Sequence, residues 1–223
     1  MDAISLLKKD HRTVKSLFAR FDKLGDGAVA QKKAIVKEIV RELSIHAAIE
    51  EALFYPTARA AVKAKEDLVL EALEEHHVVK WLLEELSSIE PTHERFDAKV
   101  TVLKEAVNHH VEEEETDLFP AFERKVTTEE RKALGTALEA AKKLAPTRPH
   151  PKAPDTPPGN LLASIPSALL DKVRDLVSSN AQAPMARGQR TLRRLGASPA
   201  MHRMGRASKK AAASKKKASR KAR

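Results

Sequence analysis

Six residues of this 223-residue chain have the types and spacings that hold metal ions: His11, His46, Glu50, His76, His110 and Glu114. His46 and Glu50 are four positions apart, as are His110 and Glu114, so on a helix each pair presents an imidazole nitrogen and a carboxylate oxygen together. The pattern is duplicated. His11 precedes His46 by 35 residues, and His76 precedes His110 by 34. The flanks repeat too: Asp10-His11-Arg12-Thr13-Val14-Lys15 aligns with Glu75-His76-His77-Val78-Val79-Lys80. His46-Ala47-Ala48-Ile49-Glu50-Glu51 aligns likewise with His110-Val111-Glu112-Glu113-Glu114-Glu115. Leu53-Phe54-Tyr55-Pro56 comes after the first of these motifs and Leu118-Phe119-Pro120 after the second.

Helices must position these residues, because apolar side chains recur around them at three- and four-residue steps. The first stripe reads Ile4, Leu7, His11, Val14, Phe18, Phe21, and the second Val36, Ile39, Leu43, His46, Glu50, Leu53. The third is Val69, Ala72, His76, Val79, Leu83, Leu86, and the fourth Val100, Leu103, Val107, His110, Glu114. Gly25 and Gly27 mark the first turn, and Pro56, Pro91 and Pro120 are expected to stop helices or lie in loops. A fifth helix is predicted from Thr127 to about Leu144, with Thr127 and Glu130 as a capping box and Leu134, Leu138 and Ala141 on its apolar side. The fold class is all-α: an antiparallel four-helix bundle of two repeated helical hairpins related by a pseudo-twofold axis, plus the fifth helix.

All six residues occupy seam positions that call for apolar side chains. Burying two carboxylates and four imidazoles without partners would cost about several kcal/mol each, more than a domain can bear. A lone seam histidine is ordinarily satisfied by core hydrogen bonds; six such residues at duplicated spacing are not explained that way. Two divalent cations, bridged by the glutamates and capped by the histidines, offset the buried charge. Imidazole and carboxylate suit iron, manganese or zinc, and the lack of thiolates argues against copper(I). Two iron ions are favoured by analogy with carboxylate-bridged bundles, whose Glu-x-x-His spacing differs from the His-x-x-x-Glu here; manganese or zinc is the lesser choice.

The order His, His-x-x-x-Glu, His, His-x-x-x-Glu, each carboxylate motif closing on Leu-Phe-(Tyr)-Pro, resembles the hemerythrin family, in particular its HHE cation-binding branch. The resemblance spans about residues 1–145. It implies the family's bundle and an oxo- or hydroxo-bridged di-iron centre on the six positions named. Oxygen-carrying hemerythrins are similar but place a further histidine one turn after the third-helix one, where this chain has Lys80. The resemblance therefore implies a more open site, suited to sensing or to reaction with oxygen, peroxide or nitric oxide rather than to reversible carriage.

Other histidines and acids read more plainly. His77 and His109 adjoin candidate ligands but point about 100° away around the helix. His109 also has Glu113 four residues on, and the repeat alignment selects His110 and Glu114 over that pair. His93, His150 and His202 fall in loop, linker or tail. Glu51 and Glu115 read as surface charge, with hydrogen bonding to a ligand histidine as the alternative. Apart from Glu114, the run Glu112-Glu113-Glu114-Glu115 reads as solvent-facing, and Tyr55 as packing rather than an electron relay. No glycine loop fits a phosphate, and no serine nucleophile elbow is present.

Composition divides the chain. Its net charge of +10 is the sum of −5 over residues 1–145 and +15 over 146–223, and no aromatic residue lies beyond Phe122. Absence of cysteine excludes disulfides, thiolate metal sites and thiol catalysis. Pro146, Pro149, Pro151, Pro154, Pro157 and Pro158 define a linker over 146–160. A short amphipathic helix is expected over 161–178, from Leu162, Ile165, Leu169, Val173 and Leu176, and a disordered basic tail over 179–223. Residues 185–223 carry fourteen Lys or Arg and no acid, a composition resembling the tails of linker histones. Such a tail binds DNA or another polyanion without sequence readout, since it lacks stacking platforms. A nucleic-acid-associated accessory protein, its helical part merely structural, is thus the alternative function. The N-terminus lacks a signal-peptide pattern and no stretch is apolar enough to span a bilayer, so a cytoplasmic location is expected.

Overall fold

Asp2 caps the first helix by accepting a hydrogen bond from the Ile4 amide at 2.9 Å, and the chain then runs helical as α1, Ala3–Phe21. The computed structural model describes residues 1–153, which contain helices and no strand. The helix expected over 161–178 and the basic segment 179–223 lie outside the described residues, as does the second part of the linker, 154–160. After a turn at Gly25–Gly27, α2 begins as Val29–Ile49, passes through a π-helical turn at Glu50–Phe54, and continues as Tyr55–Ala61. A 3₁₀ turn at Lys63–Lys65 leads into α3, Glu66–Ser88. Helix α4 repeats the plan of α2, with Phe96–Glu113, a π-turn at Glu114–Leu118, and Phe119–Lys125. Helix α5 is Thr128–Lys142.

The π-turns overturn one expectation. Pro56 and Pro120 stop nothing; each stands in the first turn of the α-helical stretch beyond a π-turn. There the Tyr55 amide donates to the Glu50 carbonyl, and the Phe119 amide to the Glu114 carbonyl, five residues back. A proline has no amide hydrogen to place, so it suits the start of the renewed α-helix. The extra residue in each π-turn rotates the remainder of the helix by about 100°. Buried neighbours such as Glu50, Glu51, Ala52, Leu53, Phe54 and Tyr55 therefore succeed one another without a simple stripe.

Helices α1 and α2 pack as one hairpin and α3 and α4 as the other, with α2 against α3 and α1 against α4 closing the bundle. All the residues of the four apolar stripes are buried. They form two clusters rather than one. Val14, Phe18, Ile39, Leu83, Phe96 and Leu103 belong to the cluster at the α1–α2 turn end. Leu7, Leu53, Phe54, Tyr55, Phe119 and Leu138 belong to the other. His11 falls between Leu7 and Val14 of the two clusters, and His76 between Ala72 and Val79, so the candidate ligands form a polar layer across the bundle.

Helix α5 closes the π-turn end. Its capping box is complete, with the Thr127 hydroxyl accepting from the Glu130 amide and the Glu130 carboxylate accepting from the Thr127 amide. Arg131 ties it to the start of α1, donating to Asp2 at 2.9 Å and to the Val126 carbonyl at 2.8 Å. Gly135 sits where α5 meets the N-terminal backbone. A Cβ there would come within 2.1 Å of the Met1 carbonyl oxygen and 2.9 Å of the Ala3 nitrogen. Alanine would gain about 1 kcal/mol in helix propensity, yet backbone cannot yield as a side-chain tip can. Gly135→Ala is expected to lower stability by about 1–3 kcal/mol, read as a lower urea midpoint; an equal or higher midpoint would show that the contact gives way freely.

Candidate metal centre

The six predicted residues converge. None of His11, His46, Glu50, His76, His110 and Glu114 is more than 5% exposed. Their ligand atoms form two overlapping groups: His11, His46, Glu50 and Glu114 in one, and Glu50, His76 and His110 in the other. Glu50 belongs to both, with Oε2 lying 3.1 Å from His46 Nε2 and 3.4 Å from His76 Nε2. Oε2 of Glu114 lies 3.3 Å from His11 Nε2 and 3.7 Å from His110 Nε2. His109, by contrast, faces outward with its side chain 62% exposed, and takes no part in this cluster.

Each imidazole is aimed by a carboxylate on its far nitrogen. His11 Nδ1 lies 2.8 Å from Glu115, His76 Nδ1 3.0 Å from Glu51, and His110 Nδ1 2.7 Å from Glu75. His46 Nδ1 approaches Asp10 to 3.6 Å, an ionic contact beyond hydrogen-bond length. A carboxylate on Nδ1 fixes the proton there and leaves the Nε2 lone pair facing inward. The pairing obeys the internal repeat, because Asp10 and Glu75 each precede the first-motif histidine, and Glu51 and Glu115 each follow the seam glutamate. The reading of Glu51 and Glu115 as surface charge is thereby corrected. Glu51 is buried, and Glu115 turns inward because the π-turn begins at its neighbour. Asp10 and Glu75 escaped sequence reasoning, although an acid in the same column of both repeats was the available signal.

Tyr55 packs in the core as expected, and its hydroxyl adds a contact that the sequence did not convey. Its hydroxyl donates to Glu114 Oε1 at 3.0 Å and lies 3.2 Å from His76 Nε2 and 3.4 Å from His110 Nε2. The structure also removes the gap placed in the repeat: Tyr55 and Phe119 are equivalent, each one residue past its π-turn. Phe119 stacks on His11 with ring centroids 5.8 Å apart, as Tyr55 leans on His76 at 5.3 Å. Lys80, at the position of the absent further histidine, instead reaches Glu51 at 2.9 Å.

Does this donor set suit a cation? Among the candidate ligands, the buried atoms without hydrogen-bond geometry are His11 Nε2, both ring nitrogens of His46, both oxygens of Glu50, and Glu114 Oε2; Asp10 Oδ2 and Ser44 Oγ are likewise unpartnered. The Nε2 atoms of His76 and His110 face each other at 3.2 Å. With both Nδ1 atoms protonated against carboxylates, those two lone pairs repel unless a positive charge lies near them. Unpaired ligand atoms from α1, α2 and α4, together with the facing nitrogens of His76 on α3 and His110, fit divalent cations.

Electrostatics agree. Burial pushes the Glu50 carboxyl up, and the charges of Glu114, Asp10 and Glu51 push it further. Burial opposes ionisation of Glu114 as well, but His110, His11 and His46 overcome it and hold that carboxyl low. His46 is lowered to about 4 by burial, against the pull of Asp10, and His76 is lowered by burial against Glu51. Burial would lower His110 too, but Glu114 and Glu75 raise it. Asp10 is burdened by burial yet held low by His46 and by Lys142, which donates to it at 2.6 Å. Beside the imidazoles lies a small cavity walled by Val14, Leu43, Val79 and Val107.

Comparison with known proteins places this geometry. The chain is 29% identical over 170 residues to an uncharacterized hemerythrin-like protein of Schizosaccharomyces pombe, covering 76% of this chain and 83% of that one. It is 30% identical over 142 residues to a DNA nickase of Nostoc sp., covering 64% of this chain but only 39% of that protein. Among solved structures, a hemerythrin HHE cation binding domain-containing protein from Mycobacterium kansasii superposes with a TM-score of 0.56 at 28% identity, over 64% of this chain and 86% of that one. The model of the Hemerythrin HHE cation binding domain matches residues 2–122, more than half of the chain, which thus belongs to that family.

Proposed function

We propose that the chain is a non-heme di-iron protein of hemerythrin type that binds or reacts with dioxygen, peroxide or nitric oxide, as a sensor or a protective protein. His11, His46, Glu50, His76, His110 and Glu114 are its metal ligands. The observation that carries this reading is the set of buried, unpartnered nitrogen and oxygen atoms that α1, α2 and α4 contribute to one layer, completed by His76 of α3. Glu50, shared by both ligand groups, would help to hold both ions. When bound, a ferrous pair supplies the electrons with which a small oxidant is held or reduced.

The chain's own residues then define the surroundings. Val14, Leu43, Val79 and Val107 keep the cavity apolar, so it admits a small uncharged molecule more readily than an ion. Tyr55 Oη holds a proton against Glu114 Oε1, on the side of His76 and His110. Burial, then the charges of Glu114 and Glu50, raise this phenol well above its ordinary value and keep it a donor. Lys80 holds Glu51, and Glu51 in turn holds His76 Nδ1.

A second reading, nucleic-acid association through residues 181–223, is favoured by the +15 charge beyond residue 145 and accords with the similarity to a DNA nickase. The two are compatible, because the basic stretch and the helical domain use separate residues.

Apo-protein loaded anaerobically with ferrous iron and then exposed to oxygen is expected to retain about two iron ions per chain and to develop near-ultraviolet charge-transfer absorption. Metal analysis and the spectrum check this; protein that holds no iron and stays colourless refutes the assignment. Tyr55→Phe leaves a buried carboxylate oxygen without its donor, and should cost the apo-protein about 1–3 kcal/mol in a urea titration. An unchanged midpoint would mean that the hydroxyl contributes nothing to holding Glu114. For the second reading, deleting residues 181–223 should abolish retention on DNA at low salt, and undiminished retention of the truncated protein eliminates the tail as its cause.

A further inference from the structure

The pair His109 and Glu113, set aside in favour of its neighbours, meets a third residue at the surface. His109 Nε2 lies 3.5 Å from Glu113 Oε1, four residues along α4, and 3.7 Å from Oε1 of Glu75 on α3. Ligand atoms of the three lie within 4.8 Å of one another, the spacing of a site that could hold one cation. The ion pairs of Glu75 and Glu113 among the described residues are with histidines alone, so two carboxylates face solvent with no lysine or arginine to neutralise them.

This cluster abuts the buried layer. Glu75 uses one oxygen on each side: Oε1 faces His109, while Oε2 holds His110 Nδ1 at 2.7 Å. A narrow cavity beneath it is lined by Glu75, Glu113, His110 and Glu114. Glu114 is 2% exposed, and its Oε2 has no hydrogen-bond partner. An exposed histidine and two carboxylates thus stand over a space, lined also by Leu68, Ala72 and Leu118, that Glu114 borders from within.

The other repeat has nothing comparable. The positions equivalent to His109 and Glu113 are Ile45 and Ile49, both buried in the cluster that α5 covers. Asp10, the equivalent of Glu75, is closed off by Lys142 of α5. Among the described residues, the half of the bundle that α5 leaves uncovered is the one that presents such a cluster to solvent.

We propose that Glu75, His109 and Glu113 form an outer site that captures a divalent cation of the iron, manganese or zinc type and passes it inward past Glu113 and Glu114. Imidazole with two carboxylates suits these borderline metals, and three ligands leave positions for water that Glu114 can replace. Capture stands on the surface geometry alone; delivery rests on reading the buried layer as the di-iron centre.

Two measurements separate these parts. In Glu50→Gln/Glu114→Gln protein, checked for helical content by circular dichroism, zinc titrated against a chromophoric chelator should still find about one site, weakened about tenfold or more by adding His109→Ala. Equal zinc binding with and without His109 overturns the outer site. With the buried residues intact, His109→Ala/Glu113→Gln should slow ferrous iron uptake by about tenfold while the final iron content stays the same. An unchanged uptake rate overturns delivery. Failure of the unsubstituted protein to take up iron refutes the di-iron reading and delivery with it, and the zinc titration still decides the outer site.

Discussion

Everything in this bundle is arranged around one constraint: a layer of imidazoles and carboxylates lies buried between two apolar clusters. Each such group left without a partner costs about several kcal/mol, and six together exceed what the surrounding core can offset. Hydrogen bonds inside the protein satisfy the outward half of the layer, since three of the four histidines have a carboxylate at bonding distance on Nδ1. The inward half remains. Nε2 of His11 and His46, both oxygens of Glu50 and Oε2 of Glu114 point at one another without bonding. Cations resolve that arrangement, and the raised Glu50 carboxyl marks where negative charge is least tolerated in their absence.

Helix geometry makes the layer possible. A plain α-helix through Glu50 would carry Tyr55 about 140° away from it, since five steps of about 100° overshoot one turn. With the π-turn at Glu50–Phe54, both residues reach the same layer, and Tyr55 Oη comes within 3.0 Å of Glu114 on the opposite hairpin. The second π-turn does the same for Glu114, Glu115 and Phe119, which meets His11 from the other side. Both π-turns stand where the candidate ligands are, in keeping with the usual placement of such turns at functional sites.

That local rephasing also explains what the sequence could and could not convey. The stripes around His11, His46, His76 and His110 were legible, because three- and four-residue periodicity is set by the α-helix itself. So was the α5 capping box, a purely local signature at Thr127 and Glu130. Pro56 and Pro120 misled, since a π-turn has no composition of its own and proline after a carboxylate motif looks like a stop. Counting 100° steps from Glu50 and Glu114 sends Glu51 and Glu115 to the surface, and that count fails once the helix is π-wound. Tyr55 was hidden for the same reason, and by a gap in the repeat that the folded chain does not need.

The departures from twofold symmetry are where specific chemistry should be sought. A symmetric frame makes the two halves of the layer alike, since each repeat supplies a histidine, a His-x-x-x-Glu pair and two orienting acids. It cannot distinguish one half from the other. Tyr55 in place of Phe119 does, by adding a hydroxyl donor beside His76 and His110 only. Lys80 does too, because it is buried against Glu51, whereas its repeat equivalent Lys15 is exposed. The outward cluster on Glu75 and the closure of Asp10 by Lys142 add a third difference in the same direction. The half with His76 and His110 thus carries the phenol donor, Lys80 and the outward cluster, while the half with His46 is closed by Lys142. Duplication built the frame, and the residues that broke its symmetry made the two halves of the layer chemically unequal.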